Sequence, residues 1–74
     1  MITVQVCSEQ TGKPLQGKRV SLFFDGIIRG SSGDERTNGS GEAHFDNDPG
    51  KGKVFVEGKQ KHKGHISGRM VVYL

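Results

Sequence analysis

The sequence predicts an all-β protein, a small antiparallel β-sandwich or open barrel without a substantial helix. Twelve of its 74 residues are glycine, and the longest glycine-free run is the first 11 residues. A helix of ordinary length would therefore carry interior glycine at about 1 kcal/mol each, whereas tight turns between strands need it. Apolar and polar residues also alternate in several short segments, which is the period of a half-buried strand. A chain of this length predicts one domain, residues 1–74.

The first two predicted strands are joined by a turn. Apolar residues alternate with polar ones from Ile2 to Val6, and again between residues 18 and 24. Both segments are typical of a strand with one buried face. The connecting segment 11–17 holds two glycines and a proline, and such residues predict a turn.

The middle of the chain predicts a hairpin, a loop and a fourth strand. Asp25–Gly26 lies between apolar residues and predicts a type I′ turn leading into a strand over 27–31. The segment 30–41 has no apolar residue and predicts a loop. Residues 42–46 alternate again and predict a strand, and 47–50 follow as a turn.

The last third predicts three more strands, over 53–57, 60–66 and 69–74, with Gly58–Lys59 and Ser67–Gly68 as turns. The middle strand of the three is polar on both faces, so the pattern leaves its register open. We expect it to be an exposed ribbon outside the core. The predicted core comprises Val4, Val6, Leu15, Val20, Leu22, Phe24, Ala43, Phe45, Val54 and Val56.

One segment nearly matches a phosphate-binding loop. Gly12 to Lys18 follow G-x-x-x-x-G-K, but Arg19 stands where the pattern requires serine or threonine. Pro14 lacks an amide hydrogen that could bind phosphate. The residues that follow alternate like a strand, whereas the phosphate loop must open a helix. We therefore interpret the segment as a turn between strands.

The residues that could bind a metal or act as a nucleophile do not form a recognisable site. Cys7, His44, His62 and His65 are the thiol and imidazole groups of the chain. His62 and His65 are three apart, so on a strand they point to opposite faces. The 30–41 loop departs from the calcium-loop pattern. The sequence thus predicts no catalytic residue, no metal site, no cofactor and no enzymatic activity.

The most basic segment, residues 51–65, is the predicted interaction surface. Lys59, Lys61 and Lys63 would point to one side of a strand, with Phe55 and Tyr73 nearby. Lysines beside stacking aromatic rings are typical of single-stranded nucleic-acid binding. Lysines also protect an edge strand from aggregation without any ligand, and we favour that interpretation. The predicted interaction residues are Lys59, Lys61, His62, Lys63, His65, Phe55 and Tyr73.

Residues 12–20 follow the pattern G-x-P-L-x-G-x-x-V, and residues 37–45 follow T-[DN]-x-x-G-x-A-x-F. Together with the segment 49–58, these motifs resemble the carboxypeptidase regulatory-like and transthyretin-like domains over residues 2–58. The resemblance implies a prealbumin-like Greek-key sandwich and a non-catalytic module. It transfers no catalytic residue, because the matched positions are turn glycines and core residues.

Charge and composition bound the function only loosely. The net charge is +3, which permits anionic partners without requiring them. The single cysteine, the absence of a signal-peptide pattern and the short apolar runs predict a cytoplasmic protein without a membrane partner. The leading hypothesis is a non-enzymatic module that binds a protein or a second copy of itself. The alternatives are nucleic-acid or other polyanion binding through residues 51–65, and a carbohydrate-associated accessory role.

Overall fold

The computed structural model describes residues 1–25 and 30–74, and these residues form two β-sheets that pack face to face. The seven strands are β1 (Ile2–Cys7), β2 (Arg19–Phe24), β3 (Gly30–Arg36), β4 (Glu42–Phe45), β5 (Gly50–Val56), β6 (Lys59–Ile66) and β7 (Arg69–Tyr73). One sheet has the order β4-β1-β7 and the other the order β3-β2-β5-β6. The sheets do not close into a barrel, and the described residues contain no helix. The predicted all-β fold class is confirmed as a small β-sandwich.

The core lies between the two sheets and is built by the inward positions of each strand. Ile2, Val4 and Val6 of β1 have no exposed surface, and neither do Val20 and Leu22 of β2. Period-two alternation produces this arrangement, because successive side chains of a strand point to opposite faces. All the predicted core residues are buried except Leu15, which is partly buried and packs against the core. The core also includes Ile2, Ile66 and Val72, which the sequence-based list lacked.

The segment that resembles a phosphate loop is a crossing from one sheet to the other. Gly12 and Gly17 adopt φ angles of 74° and 77°, which favour glycine. The amide of Leu15 donates to the carbonyl of Val6, and Pro14 forms an isolated bridge with Cys7. β2 follows the crossing directly, so the interpretation as a turn is confirmed.

The last strand and the segment 30–41 show that long-range pairing overrides the local pattern. β7 pairs with β1, not with β6, and the two strands run parallel, whereas the other ladders are antiparallel. The segment 30–36, predicted as part of a loop, is the edge strand β3. An edge strand needs only main-chain bonds to its neighbour, so it can lack apolar residues. Gly26 of the predicted turn and residues 27–29 of the predicted strand over 27–31 lie outside the described residues.

The turn between β5 and β6 is Glu57–Gly58, one residue earlier than predicted. Both residues have positive φ, 51° and 82°, as a type I′ turn requires. The ladder starts with Val56 opposite Lys59 and Phe55 opposite Gln60, but Val54 lies opposite His62. Lys61 is therefore an extra residue on β6, which is a β-bulge. Because of the bulge, Lys59 and Lys63, which lie on either side of it, point to opposite faces of the sheet.

Candidate ligand-binding face

The solvent-side surface of the β3-β2-β5-β6 sheet, which we call the outer face, combines aromatic and basic side chains. Directly paired residues lie on the same side of a sheet, so the ladder registers define this face. Ser21 lies between Asp34 of β3 and Phe55 of β5, and Gln60 of β6 continues the row. Phe23, Lys53 and Lys63 form the next row. These rows run across the strands, so each brings together residues from distant parts of the chain.

Two phenylalanines, the exposed Phe23 and the half-buried Phe55, form an aromatic pair on the outer face. The ring centroids of Phe23 and Phe55 are 5.2 Å apart, and the ring planes meet at 85°. Phe23 keeps 43% of its surface exposed, although phenylalanine is usually buried. Perpendicular rings cannot both stack on one planar ligand, so one would stack and the other would contact the edge of the ligand.

The aromatic pair borders an open groove of about 580 Å³. Ser21, which is largely buried, lies between Asp34 and Phe55 and also lines the groove. Arg19 and Lys53 add positive charge to its lining. A groove with an apolar surface and a few polar groups is the usual form of a small-ligand or nucleotide site.

Positive charge dominates the outer face far more than it dominates the chain. Within the described strand residues of this face, the ladders place five cationic side chains and one carboxylate, that of Asp34. The five cations are Arg19, Arg36, Lys51, Lys53 and Lys63. The whole chain has 11 basic and 8 acidic residues. Strand pairing therefore brings basic side chains together on one surface of a chain that is only mildly basic overall.

The acidic groups at this surface are held by specific partners. The hydroxyl of Ser21 donates a hydrogen bond to Oδ1 of Asp34, and Nε of Arg19 lies 3.9 Å from Oδ2. Glu57, in the β5–β6 turn, accepts a hydrogen bond of 2.5 Å from the backbone amide of Arg19. This bond lowers the pKa of Glu57, and the charges of Lys18, Arg19 and Arg36 lower it further. The carboxylate of Glu57 thus links the β5–β6 turn to β2.

The structure brings together only some of the predicted interaction residues. Phe55, Lys63 and His65 lie on the outer face, since their partners are Ser21, Lys53 and Lys51. Lys59 and His62 pair with Val56 and Val54, whose side chains point to the core. Lys61 is the bulge residue. The prediction that Lys59, Lys61 and Lys63 share one side is wrong, because the bulge separates the faces of Lys59 and Lys63.

Tyr73 also lies apart from this face. It pairs with Cys7 in the β4-β1-β7 sheet, so it cannot stack beside Phe55 as the sequence suggested. Sequence reasoning instead missed Phe23 and Arg19 as members of the surface, whereas Lys53 lies within the predicted basic segment 51–65. Phe23 is the outward residue between the buried Leu22 and Phe24, and an apolar residue at this outward position, which breaks the period-two alternation, was the available signal.

The other sheet has a polar network on its own solvent side. Oγ1 of Thr3 lies 3.0 Å from Nδ1 of His44, and Nε2 of His44 lies 3.5 Å from Glu42. Arg69 hydrogen-bonds to Glu42 and also to Gln5, at 3.0 Å for the latter. The bond from Arg69 lowers the pKa of Glu42. This network ties the edge strands β4 and β7 to β1.

The geometry adds no metal site to these surfaces. In the part of the chain that the structure describes, no three histidine, cysteine or acidic side chains come together to hold a metal ion. Cys7 is buried on β1 and bridges to Pro14. Among the described residues, there is also no helix with the length and apolar character needed to span a bilayer.

Comparison with family models, curated proteins and solved structures finds no match to this chain. The resemblance to carboxypeptidase regulatory-like and transthyretin-like domains therefore stays a prediction.

Proposed function

We propose that the protein is a non-catalytic module that binds single-stranded nucleic acid on its outer face. The observation that carries the proposal is the solvent-facing Phe23–Phe55 pair on a sheet surface with five cations and one carboxylate among its described strand residues. Aromatic rings offer stacking surfaces for unpaired bases, and lysine or arginine neutralises the phosphates between them. Open sheet faces carrying aromatic residues are a recurrent way to bind single strands.

The positive charge of the outer face favours nucleic-acid binding over the alternatives predicted from the sequence. A neutral carbohydrate would use the aromatic rings but would gain nothing from the surrounding cations. A protein partner that covered Phe23 would have to be acidic to match Arg19, Lys53 and Lys63. A nucleic-acid strand supplies both the planar groups and the regular negative charge, so it uses both the aromatic rings and the cations of the face.

The proposal predicts salt-dependent binding of short single strands. Fluorescence anisotropy with labelled 12-nucleotide thymidine and uridine strands would measure the dissociation constant between about 50 and 200 mM salt, the range over which such binding weakens strongly. Each neutralised phosphate contributes about 0.7 to the slope of log affinity against log salt. With five cations on the face, the slope should lie at about −2 to −3.5.

Phe55→Ala provides the residue-level test. Loss of a stacking ring should weaken binding by about 1–3 kcal/mol, or roughly five- to 150-fold. Tyr73→Ala is the matched control, because Tyr73 is an aromatic residue with 51% exposure on the other sheet. Equal losses in the two variants, or no binding by the unmodified protein at low salt, would overturn the proposal.

Protein binding through β7 is a second candidate function. Val71 and Tyr73 are 47% and 51% exposed on the solvent side of β7, which is an edge strand of its sheet. An exposed edge strand with apolar side chains can pair with another chain. The edge strand β6 of the other sheet carries three lysines and a bulge that oppose such pairing. Sedimentation velocity should then show a dimer that Val71→Lys abolishes, and a concentration-independent monomer would refute this candidate.

A further inference from the structure

Asp34 stands out because, among the described strand residues of the outer face, it is the one carboxylate in a surface otherwise suited to phosphate. It lines the same groove as Phe23 and Phe55. A carboxylate repels phosphate, so its presence weakens binding of the backbone of a strand. It accepts hydrogen bonds and donates none, and therefore suits a ligand that presents N–H groups.

The position of Asp34 relative to Phe55 suits a base. Asp34, Ser21 and Phe55 occupy one row across β3, β2 and β5. Adjacent strands lie about 4.8 Å apart, so the backbones of Asp34 and Phe55 are separated by about 10 Å. Ser21, between them, has a short side chain and is largely buried. A base stacked against Phe55 would lie over Ser21 with its edge directed at Asp34.

The carboxylate of Asp34 retains acceptor capacity towards the groove. Ser21 donates one hydrogen bond to Oδ1. Arg19 Nε is 3.9 Å from Oδ2, which is beyond hydrogen-bond distance. Each carboxylate oxygen accepts about two hydrogen bonds, so both oxygens can accept from one ligand. About 52% of the Asp34 side chain is exposed, which leaves it accessible.

We infer that Asp34 makes the outer face prefer guanine, an inference that rests on the proposed single-strand binding. Guanine presents two neighbouring donors, N1–H and the N2 amino group, and these match the two oxygens of a carboxylate. Adenine and cytosine each present one amino group on that edge, and uracil presents one N–H. A paired, charge-assisted contact is stronger and more directional than a single one. Phe55 supplies the stacking and Asp34 selects the base.

The test compares three labelled 12-nucleotide strands, in DNA and in RNA, in which a pyrimidine alternates with guanine, inosine or adenine. Inosine keeps N1–H but lacks the N2 amino group, so it removes one of the two proposed bonds. The unmodified protein should bind the guanine strand at least about fivefold more tightly than the inosine or adenine strand. Anisotropy titrations at one fixed salt concentration would give the three dissociation constants.

Two variants distinguish recognition of guanine by Asp34 from a general effect of removing one negative charge. Asp34→Asn should abolish the guanine preference while keeping, or improving, overall affinity. Glu35→Gln is the matched control, because it removes the same charge at the next position of β3, where the paired residue Val20 points to the core. It should leave the preference intact. Thermal unfolding monitored by circular dichroism would verify that both variants fold.

The outcomes separate the inference from the function on which it rests. Binding without guanine preference, or a preference that survives in Asp34→Asn, overturns the role of Asp34 and leaves single-strand binding standing. If Glu35→Gln loses the guanine preference as completely as Asp34→Asn does, recognition of the base by Asp34 is also overturned. Failure to bind any of the strands at low salt overturns the proposed function itself.

Discussion

Replacing Gly52 by alanine should strongly destabilise the fold, because β5 passes very close to β2 at this point. A methyl carbon at Gly52 would lie 2.2 Å from the carbonyl oxygen of Phe23 and 2.9 Å from Cα of Phe24. Non-bonded heavy atoms in contact normally lie about 3.5–4.0 Å apart. The clash is with backbone, so no side-chain rotation relieves it, and the two central strands would have to separate.

The expected loss is about 3 kcal/mol or more, at or above the upper end of the usual cost of overpacking. Small domains have only about 5–15 kcal/mol of stability, so the loss is a large fraction of the total. With a urea m-value of about 1–3 kcal/mol/M, the unfolding midpoint should fall by roughly 1–3 M. Circular dichroism during urea unfolding would measure it.

Gly39→Ala is the matched control, because nothing lies within 4 Å of the added carbon. Its stability should stay within about 1 kcal/mol of the unmodified protein. A midpoint for Gly52→Ala that equals that of Gly39→Ala would refute the close β2–β5 approach, and with it the pairing that brings Phe23 and Phe55 together.

Three further substitutions test the core, a buried hydroxyl and a charged contact. Leu22→Ala, at a position with no exposed surface, should lower the free energy of unfolding by about 2–5 kcal/mol in urea titration. Thr37→Val should cost about 1–3 kcal/mol by the same assay, since Oγ1 of Thr37 donates to the carbonyl of Leu15 and accepts from the amide of Lys18. The pKa of Glu57 is lowered from 4.5 on folding, so its stabilisation is complete above that pH and is lost as the pH falls through the lower folded value. Glu57→Gln should therefore show a smaller decrease in thermal midpoint between pH 6 and 3 than the unmodified protein, and an identical decrease would contradict the contact.

The sequence predicted the fold class because inward positions of central strands are nearly all apolar. Val4, Val20, Leu22 and Val54 follow the period of two without interruption and lie in the core. Glycine at the turns excluded long helices. These signals are local, so they can be interpreted without knowing which strands pair.

The edges of the sheets were harder to predict, since their residues are constrained by main-chain pairing alone. β3 (Gly30–Arg36) lacks apolar residues, and β6 (Lys59–Ile66) is polar on both faces until Ile66. Neither pattern specifies a register. The bulge at Lys61 depends on the Glu57–Gly58 turn and on the long-range constraint that places Ile66 in the core. Local patterns contain neither constraint.

The candidate face was only partly predictable for the same reason. Phe55 and Lys63 were identified from the basic segment, but their neighbours Phe23 and Arg19 come from β2, more than 30 residues earlier. The pairing of β2 with β5 creates the surface, and no local pattern indicates which strands will pair. Tyr73 was misplaced because β7 crosses to the other sheet to run parallel with β1.

The salt dependence of binding in Lys63→Ala and Lys59→Ala tests the account most directly. Both changes remove one lysine from β6, but Lys63 pairs with Lys53 on the outer face and Lys59 pairs with the core residue Val56. The account predicts that Lys63→Ala weakens single-strand binding and reduces the magnitude of the salt slope by about 0.7, the contribution of one phosphate contact. Lys59→Ala should leave the slope unchanged. Equal changes in both variants, or a change in Lys59→Ala alone, would contradict the assignment of the binding surface to the outer face.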